Sequence, residues 1–414
     1  MTNEPCCQEY AALTRRGLFA GAAALAGATT LVGSAVVTAS AASLAPAPSV
    51  LVVLSLRGAA DGLSLVVPHG DPVYYAKDVR PTIAVPSDRL LVKDDYFGLH
   101  PKLAPLVPLW NAGKLAAVHA TGLPAPNRSH FAAMEEVEDA DPGSTTRAGW
   151  LNRLIGTDAT RSPLQGFNMG DGAIPTSLYG DQPVMSAGNI DGVWIAGDDK
   201  WDATGGRRAS LHRLWDGNTK PLGRAMASAF AAVDGFDPVR KTADHAGTYP
   251  KSDLGRALAE VARVVRGDVG VEVITIDYGK WDMHSGLGDL SWGQMLENAT
   301  EMSAAIAAFF ADLGALGDQV TLVALSEFGR RVQENINMGL DHGYGNVMMV
   351  AGAGVKGGYY SKWPGLTNEL DSDLLVTTDY RSVLAEVVAG RFGVSTASVF
   401  PGFVREPVGV MLGQ

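Results

Sequence analysis

The chain has 414 residues, 46% of them hydrophobic and 19% charged, enough to bury a sizeable core in one large α/β domain or two smaller ones. Its 33 basic residues against 44 acidic ones give a net charge of −11 with no concentrated basic patch. That balance repels phosphate backbones and excludes nucleic acid as a partner.

Residues 1–41 read as a signal peptide of the twin-arginine type. Thr14-Arg15-Arg16-Gly17-Leu18-Phe19 precedes an uncharged apolar run over 19–37, and Ala39-Ser40-Ala41 supplies the small residues of a cleavage site. The run is nearly long enough to span a bilayer as an anchor. Its weak Ala/Gly hydrophobicity and the cleavage site favour removal instead, leaving no permanent membrane anchor. The expected partner is the twin-arginine export machinery, which carries folded proteins, and the expected location is periplasmic or extracellular. Cys6 and Cys7 both precede the apolar run, so the mature chain has no disulfide and no thiolate chemistry.

Residues 42–414 read as a single domain of alternating strands and helices. The run VLVVLSL at 50–56 suits a strand buried on both faces, and 114–120 is a second strand. Asp253 begins a helix with Leu254, Leu258, Val261 and Val265 on one face and a stop at Gly267. A strand is expected at 269–276. A long helix follows at 291–313, burying Met295, Met302, Ile306, Phe309 and Leu313. Strands at 319–325 and 346–351 and a closing helix at 379–390 complete the series. The alternation predicts an α/β fold with a largely parallel central sheet and helices on both faces. Residues 170–250, rich in Gly, Asp and Trp, read as a cap or insertion.

In open α/β sheets, ligands bind beyond the carboxyl ends of the strands. Asp61 follows the first strand, Asp282 and His284 follow the strand ending at 276, and Glu327 and Arg330 follow the strand ending at 325. Asp341 and His342 lie in the long loop 326–345, of a length that is usually functional. They reach the same edge if the strand from Asn346 runs antiparallel to its predecessor, or if the loop folds back. Asp, Glu and His without Cys is the ligand set for Zn, Mn, Mg or Ca. The plainer alternative for each Asp-His pair is a hydrogen bond within a loop. Asn127-Arg128-Ser129-His130-Phe131 offers Ser129 as a nucleophile, His130 as a base or ligand and Arg128 as an anion binder. Its plainer alternative is a helix start capped by Ser129. Gly352 to Gly357 matches G-x-G-x-x-G, but the residues that follow cannot open a long helix, so no dinucleotide site is expected. His69, His119, His212 and His245 have no clustered partners and read as structural or surface residues; His100 stays open.

The runs RGAADGLSLVVP, YYAKDVRP, FGLHPKLAPL, NRSHFAAMEE, GWLNRL, IDYGKWDMHSG, LSEFGRRVQEN, LDHGYGNVMMVAGAGVKGG and TTDYRSVLAEV, in this order, resemble the DUF1501 family of exported bacterial proteins. The resemblance implies an alkaline-phosphatase-like fold and a metal-dependent hydrolase of phosphate or sulfate esters, small or polymeric. Asp61 would hold a metal, Asp282 and His284 would be the middle ligand pair, and His342, with Asp341 beside it, a late ligand. Ser129 would be the nucleophile, His130 or Glu327 would carry the proton, and Arg128 or Arg330 would hold the non-bridging oxygens. Glu327 stands where the phosphatases place an Asp-His pair, which implies one metal rather than two, or none. The opening Gly58-Ala59-Ala60-Asp61-Gly62 also departs from the family's usual Gly-Gly-polar-Asp-Gly. The competing expectation is an exported binding or assembly protein with a degraded centre. A sulfatase lacks support, because no Cys/Ser-x-Pro-x-Arg run is present.

Overall fold

The computed structural model describes residues 29–32, 35–38, 46–157, 162–170, 173–195 and 203–413. Among them, eleven strands form one mixed sheet: β1 (Thr29–Val32), β2 (Ala35–Thr38), β3 (Val50–Leu56), β4 (Leu115–Gly122), β5 (Gly166–Met169), β6 (Val184–Ala187), β7 (Val273–Tyr278), β8 (Val320–Leu325), β9 (Asn346–Gly352), β10 (Gly358–Tyr360) and β11 (Thr378–Asp379). The order is β1-β2-β6-β5-β7-β3-β8-β9-β4-β10, with β11 also on β4. From β6 through β5, β7 and β3 to β8 all neighbours are parallel. β9 runs antiparallel to both β8 and β4. The fold is therefore mixed α/β with a largely parallel sheet.

Period-two side-chain alternation explains why β3 is apolar throughout. Val50, Val52, Leu54 and Leu56 face one core and Leu51 and Val53 the other, and every residue of the strand is buried. Of the helices that matter here, α1 (His130–Asp139) and α6 (Tyr380–Phe392) send Ala133, Met134, Val383, Leu384 and Val387 into the second core. On the opposite face lie α4 (Asp253–Gly267) and α5 (Gln294–Leu313), and both bury the stripes expected from their spacing. Helices α2 (Gly206–Trp215) and α3 (Pro221–Gly235) come from the 170–250 region. That region also supplies β6, and α3 adds Ala229, Phe230 and Val233 to the main core.

Two boundaries differ from the sequence pattern for a backbone reason. The strand expected from 269 begins at Val273, because Asp268 and Gly270 both take positive φ and turn the chain first. The helix expected from 291 begins at Gln294, after a turn in which Asp289 accepts from the Ser291 N–H and Gly293 has φ +110. The twin-arginine run and the small-residue cleavage site lie outside the described residues. Residues 29–32 and 35–38, between them, form β1 and β2, and β2 bonds to β6.

Two buried histidines are expected to make the fold acid-sensitive. His119 on β4 donates from Nε2 to the Val66 carbonyl at 2.8 Å and accepts the Ala120 N–H on Nδ1 at 3.2 Å. His100 accepts the Lys102 N–H on Nδ1 at 3.1 Å. Burial pushes both down to about 4, with the Lys102 charge adding to the effect at His100. The unfolded chain then takes up protons first, so their contribution is complete above the unfolded value of 6.5 and is lost as pH falls toward 4. Each contributes on the order of 3 kcal/mol to that loss. Urea midpoints measured between about pH 7 and about pH 4 are expected to fall steadily, and a flat profile would contradict neutral burial of these rings.

Candidate metal centre

Four strand ends and one strand start converge at one edge of the sheet. The chain leaves β3 through Arg57 and Gly58, whose φ is +109 and whose place no larger residue fits. A Cβ there would meet the Asp282 backbone nitrogen at 2.5 Å. This close approach sets the β3 exit against the loop after β7 that carries Asp282 and His284. Gly339 does the same on the other side, since its Cβ would lie 2.3 Å from the His284 backbone. Because β9 is antiparallel to β8, the loop 326–345 returns to the same edge, and Arg330 and His342 pair across it as a β-bridge. β4 ends here too and delivers the start of α1 with His130.

These supports bring three imidazoles and one carboxylate together. His342 Nε2 lies 3.0 Å from His130 Nε2 and 2.9 Å from His284 Nε2. Asp282 Oδ1 lies 3.1 Å from His284 Nε2, 3.5 Å from His130 Nε2 and 3.7 Å from His342 Nε2. Ligand atoms of His130, Asp282 and His342 all fall within 4.8 Å of one another, a spacing compatible with one divalent metal, and His284 flanks them.

The outer nitrogens show which way each ring is set. His342 Nδ1 donates to the Arg128 carbonyl at 2.9 Å, an oxygen that can only accept. His130 Nδ1 donates to Glu327 Oε1 at 2.7 Å, and His284 Nδ1 donates to Asp341 Oδ1 at 3.2 Å. Each imidazole in its neutral form therefore turns an Nε2 lone pair toward the same point. Lone pairs that close repel unless a proton or a cation lies between them. Burial opposes charge on His130, but Asp282 and Glu327 outweigh it and push the ring up to about 9. Asp282 resists the upward pull of burial and is held far below the usual carboxylate range by the three histidines and Arg330.

Several expected roles change. Asp61 does not join the cluster: its carboxylate is fully enclosed and takes a two-pronged contact from Arg80, Nη1 to Oδ2 at 2.6 Å and Nη2 to Oδ1 at 3.1 Å. Arg330, expected to hold substrate oxygens, is buried and spends its donors inside the protein. Nε reaches the Ala59 carbonyl at 2.7 Å, Nη1 the Leu340 carbonyl at 2.9 Å, and Nη2 both the Gly58 carbonyl and Asp282 Oδ1 at 2.6 Å. Glu327, expected to carry a proton, is also buried. It accepts from the Gly58 N–H at 2.9 Å and the Ser326 hydroxyl at 2.8 Å while orienting His130. Asp341 orients His284 from outside the cluster, itself held by Asn335 Nδ2 at 3.2 Å. Ser129 occupies the N-cap position of α1, as the plainer reading has it, yet its side chain makes no cap hydrogen bond. Arg128 is partly exposed, with its guanidinium on Asp373.

The sequence pattern missed Phe328, whose ring packs 4.9 Å from His130 and 5.1 Å from His342 and fixes their mutual tilt. It also missed Arg80 and Asn335. Only Phe328 carried a usable signal, as an aromatic residue directly after the strand-end glutamate.

The DUF1501 family, described as a protein of unknown function, matches residues 48–386. No curated protein matches the chain.

Proposed function

The chain belongs to the DUF1501 family, and from that premise and the strand-end cluster we propose a metal-dependent hydrolase of phosphate or sulfate esters on an alkaline-phosphatase-like fold. The observation that carries the reading is the convergence of three Nε2 lone pairs and Asp282 on one point, each ring tied from behind. Of Zn, Mn, Mg and Ca, zinc matches an imidazole-rich set best. His130, His342 and Asp282 would hold the ion, with His284 beside them. A bound divalent cation supplies positive charge to an ester oxygen as a Lewis acid.

The chain's own residues do the rest. Glu327, Asp341 and the Arg128 carbonyl fix the ring orientations, which spares reorganisation when charge develops. Arg330 neutralises Asp282 from the buried side. Ser129, at the N-terminus of α1 and next to His130, stands as the nucleophile with its hydroxyl uncommitted to the cap. Export through the twin-arginine pathway to a periplasmic or extracellular location belongs to the same proposal and is supported by the Arg15-Arg16 run. The commitment of Asp61 and Arg330 to structural bonds favours a second reading, an exported binding protein that keeps the cluster without turnover.

Elemental analysis of full-length protein purified without chelator separates these readings, with Asp282→Ala as control. About one divalent ion per chain, absent from the variant, is expected, together with release of nitrophenol from p-nitrophenyl phosphate or sulfate. Metal without turnover supports the binding protein. No metal after incubation with each of the four cations removes the hydrolase reading.

A further inference from the structure

Beside the cluster, two guanidinium groups share one carboxylate. Arg128 pairs with Asp373 Oδ2, and Arg331 Nη1 lies 3.6 Å from Asp373 Oδ1. Among the described residues, Arg331 Nε has no hydrogen-bond partner, and neither has Asp373 Oδ1. The remaining contact, Arg331 to the exposed Asp371, is 4.0 Å long and adds little in water. Both arginines are anchored to the cluster through their backbones. The Arg128 carbonyl accepts from His342 Nδ1, and the Arg331 N–H donates to the Asp341 carbonyl at 3.0 Å. Arg331 also pairs with Asp373 as a β-bridge, which holds the carboxylate in place. The N-terminus of the ten-residue α1, beginning next to Arg128, adds positive potential of its own.

Two cations facing one carboxylate, with a donor of Arg331 left unfilled, form an unequal arrangement. An arginine serves a carboxylate best through two parallel N–H bonds, and neither arginine achieves that here. A tetrahedral anion has enough oxygens to satisfy both at once. We propose that Arg128 and Arg331 form a receiving subsite for phosphate or sulfate at the rim of the cluster, and that Asp373 is the resident anion which the ligand displaces. The inference rests on the hydrolase reading for its purpose and names the part of the substrate recognised, with Arg331 taking the role expected of Arg330.

Calorimetric titration of the full chain with inorganic phosphate, and separately with sulfate, tests the subsite. Arg331→Gln and Arg128→Gln are each expected to weaken binding about tenfold. Asp373→Asn is expected to tighten it about threefold or more, because the competing charge is gone. The tighter of the two ions in wild type identifies the ester class. Absence of binding in wild type, unchanged binding in both arginine variants, or weaker binding in Asp373→Asn would each overturn the subsite. Arg128 is partly exposed, so its variant remains informative should Arg331→Gln fold poorly. Metal content measured on the same samples keeps the two claims apart. Arginine-dependent binding without metal retains the subsite and removes the hydrolase reading, whereas full metal with arginine-independent binding does the reverse.

Discussion

His342→Ala is expected to leave the purified protein without stoichiometric metal and to make its melting temperature insensitive to chelator. His342 is the ring that meets both of the others, at 3.0 and 2.9 Å through Nε2. Its loss removes a ligand from the centre of the group and leaves His130 and His284 joined through Asp282 Oδ1, 3.5 and 3.1 Å away. A ligand that binds only the native state stabilises in proportion to the logarithm of its saturation, so the chelator response vanishes with the site. Glu327→Gln should behave differently. Glutamine keeps the shape and an acceptor for His130 Nδ1 but not the charge, so metal affinity should fall by about 10–100-fold while saturating metal still fills the site. Competition with a chromophoric chelator measures both. If Glu327 carried the proton, its glutamine variant would instead lose turnover at unchanged metal affinity. Full metal retention in His342→Ala would refute the cluster as a metal centre.

Much of this edge is legible in the sequence, because strand ends of a parallel sheet share one side. Asp282, His284, Glu327 and Arg330 each follow an apolar run of strand length, and that alone puts them together. Whether His342 joins depends on the direction of β9, which is set by pairing with β8 and β4 and leaves no mark in the apolar pattern of residues 346–351. Roles within the edge were less legible than membership. An arginine beside a glutamate in SEFGR looks like a substrate binder; its guanidinium is consumed only because the Gly58, Ala59 and Leu340 carbonyls all end up around it. Ala59, next to these carbonyls, sits at φ +56, a conformation that favours glycine and makes this position a mildly strained one.

Asp61 shows how far residue type can mislead, and its replacement carries the other large effect. Asp61→Asn is expected to destabilise the fold by about 3–5 kcal/mol, since it leaves Arg80 buried and without its counter-charge. Arg80 also donates to the Ser64 hydroxyl at 3.1 Å and the Val332 carbonyl at 3.0 Å, so it cannot turn to solvent without opening the packing between the β3 exit and the loop after β8. Burial raises the Asp61 carboxyl, but its pairing with Arg80 outweighs that and holds it below the usual range. The pair's contribution is therefore intact above the unfolded carboxylate value of about 4 and is lost only as pH falls below it. The deficit of Asp61→Asn should be equal at about pH 7 and about pH 5, a range over which the two buried histidines already respond. Urea unfolding of Asp61→Asn beside the double variant Asp61→Asn/Arg80→Met tests this directly. Removing both charges should restore part of the loss, because the uncompensated buried cation is what costs stability. A ligand role predicts the opposite signature: metal lost from Asp61→Asn, stability little changed, and no rescue by Arg80→Met.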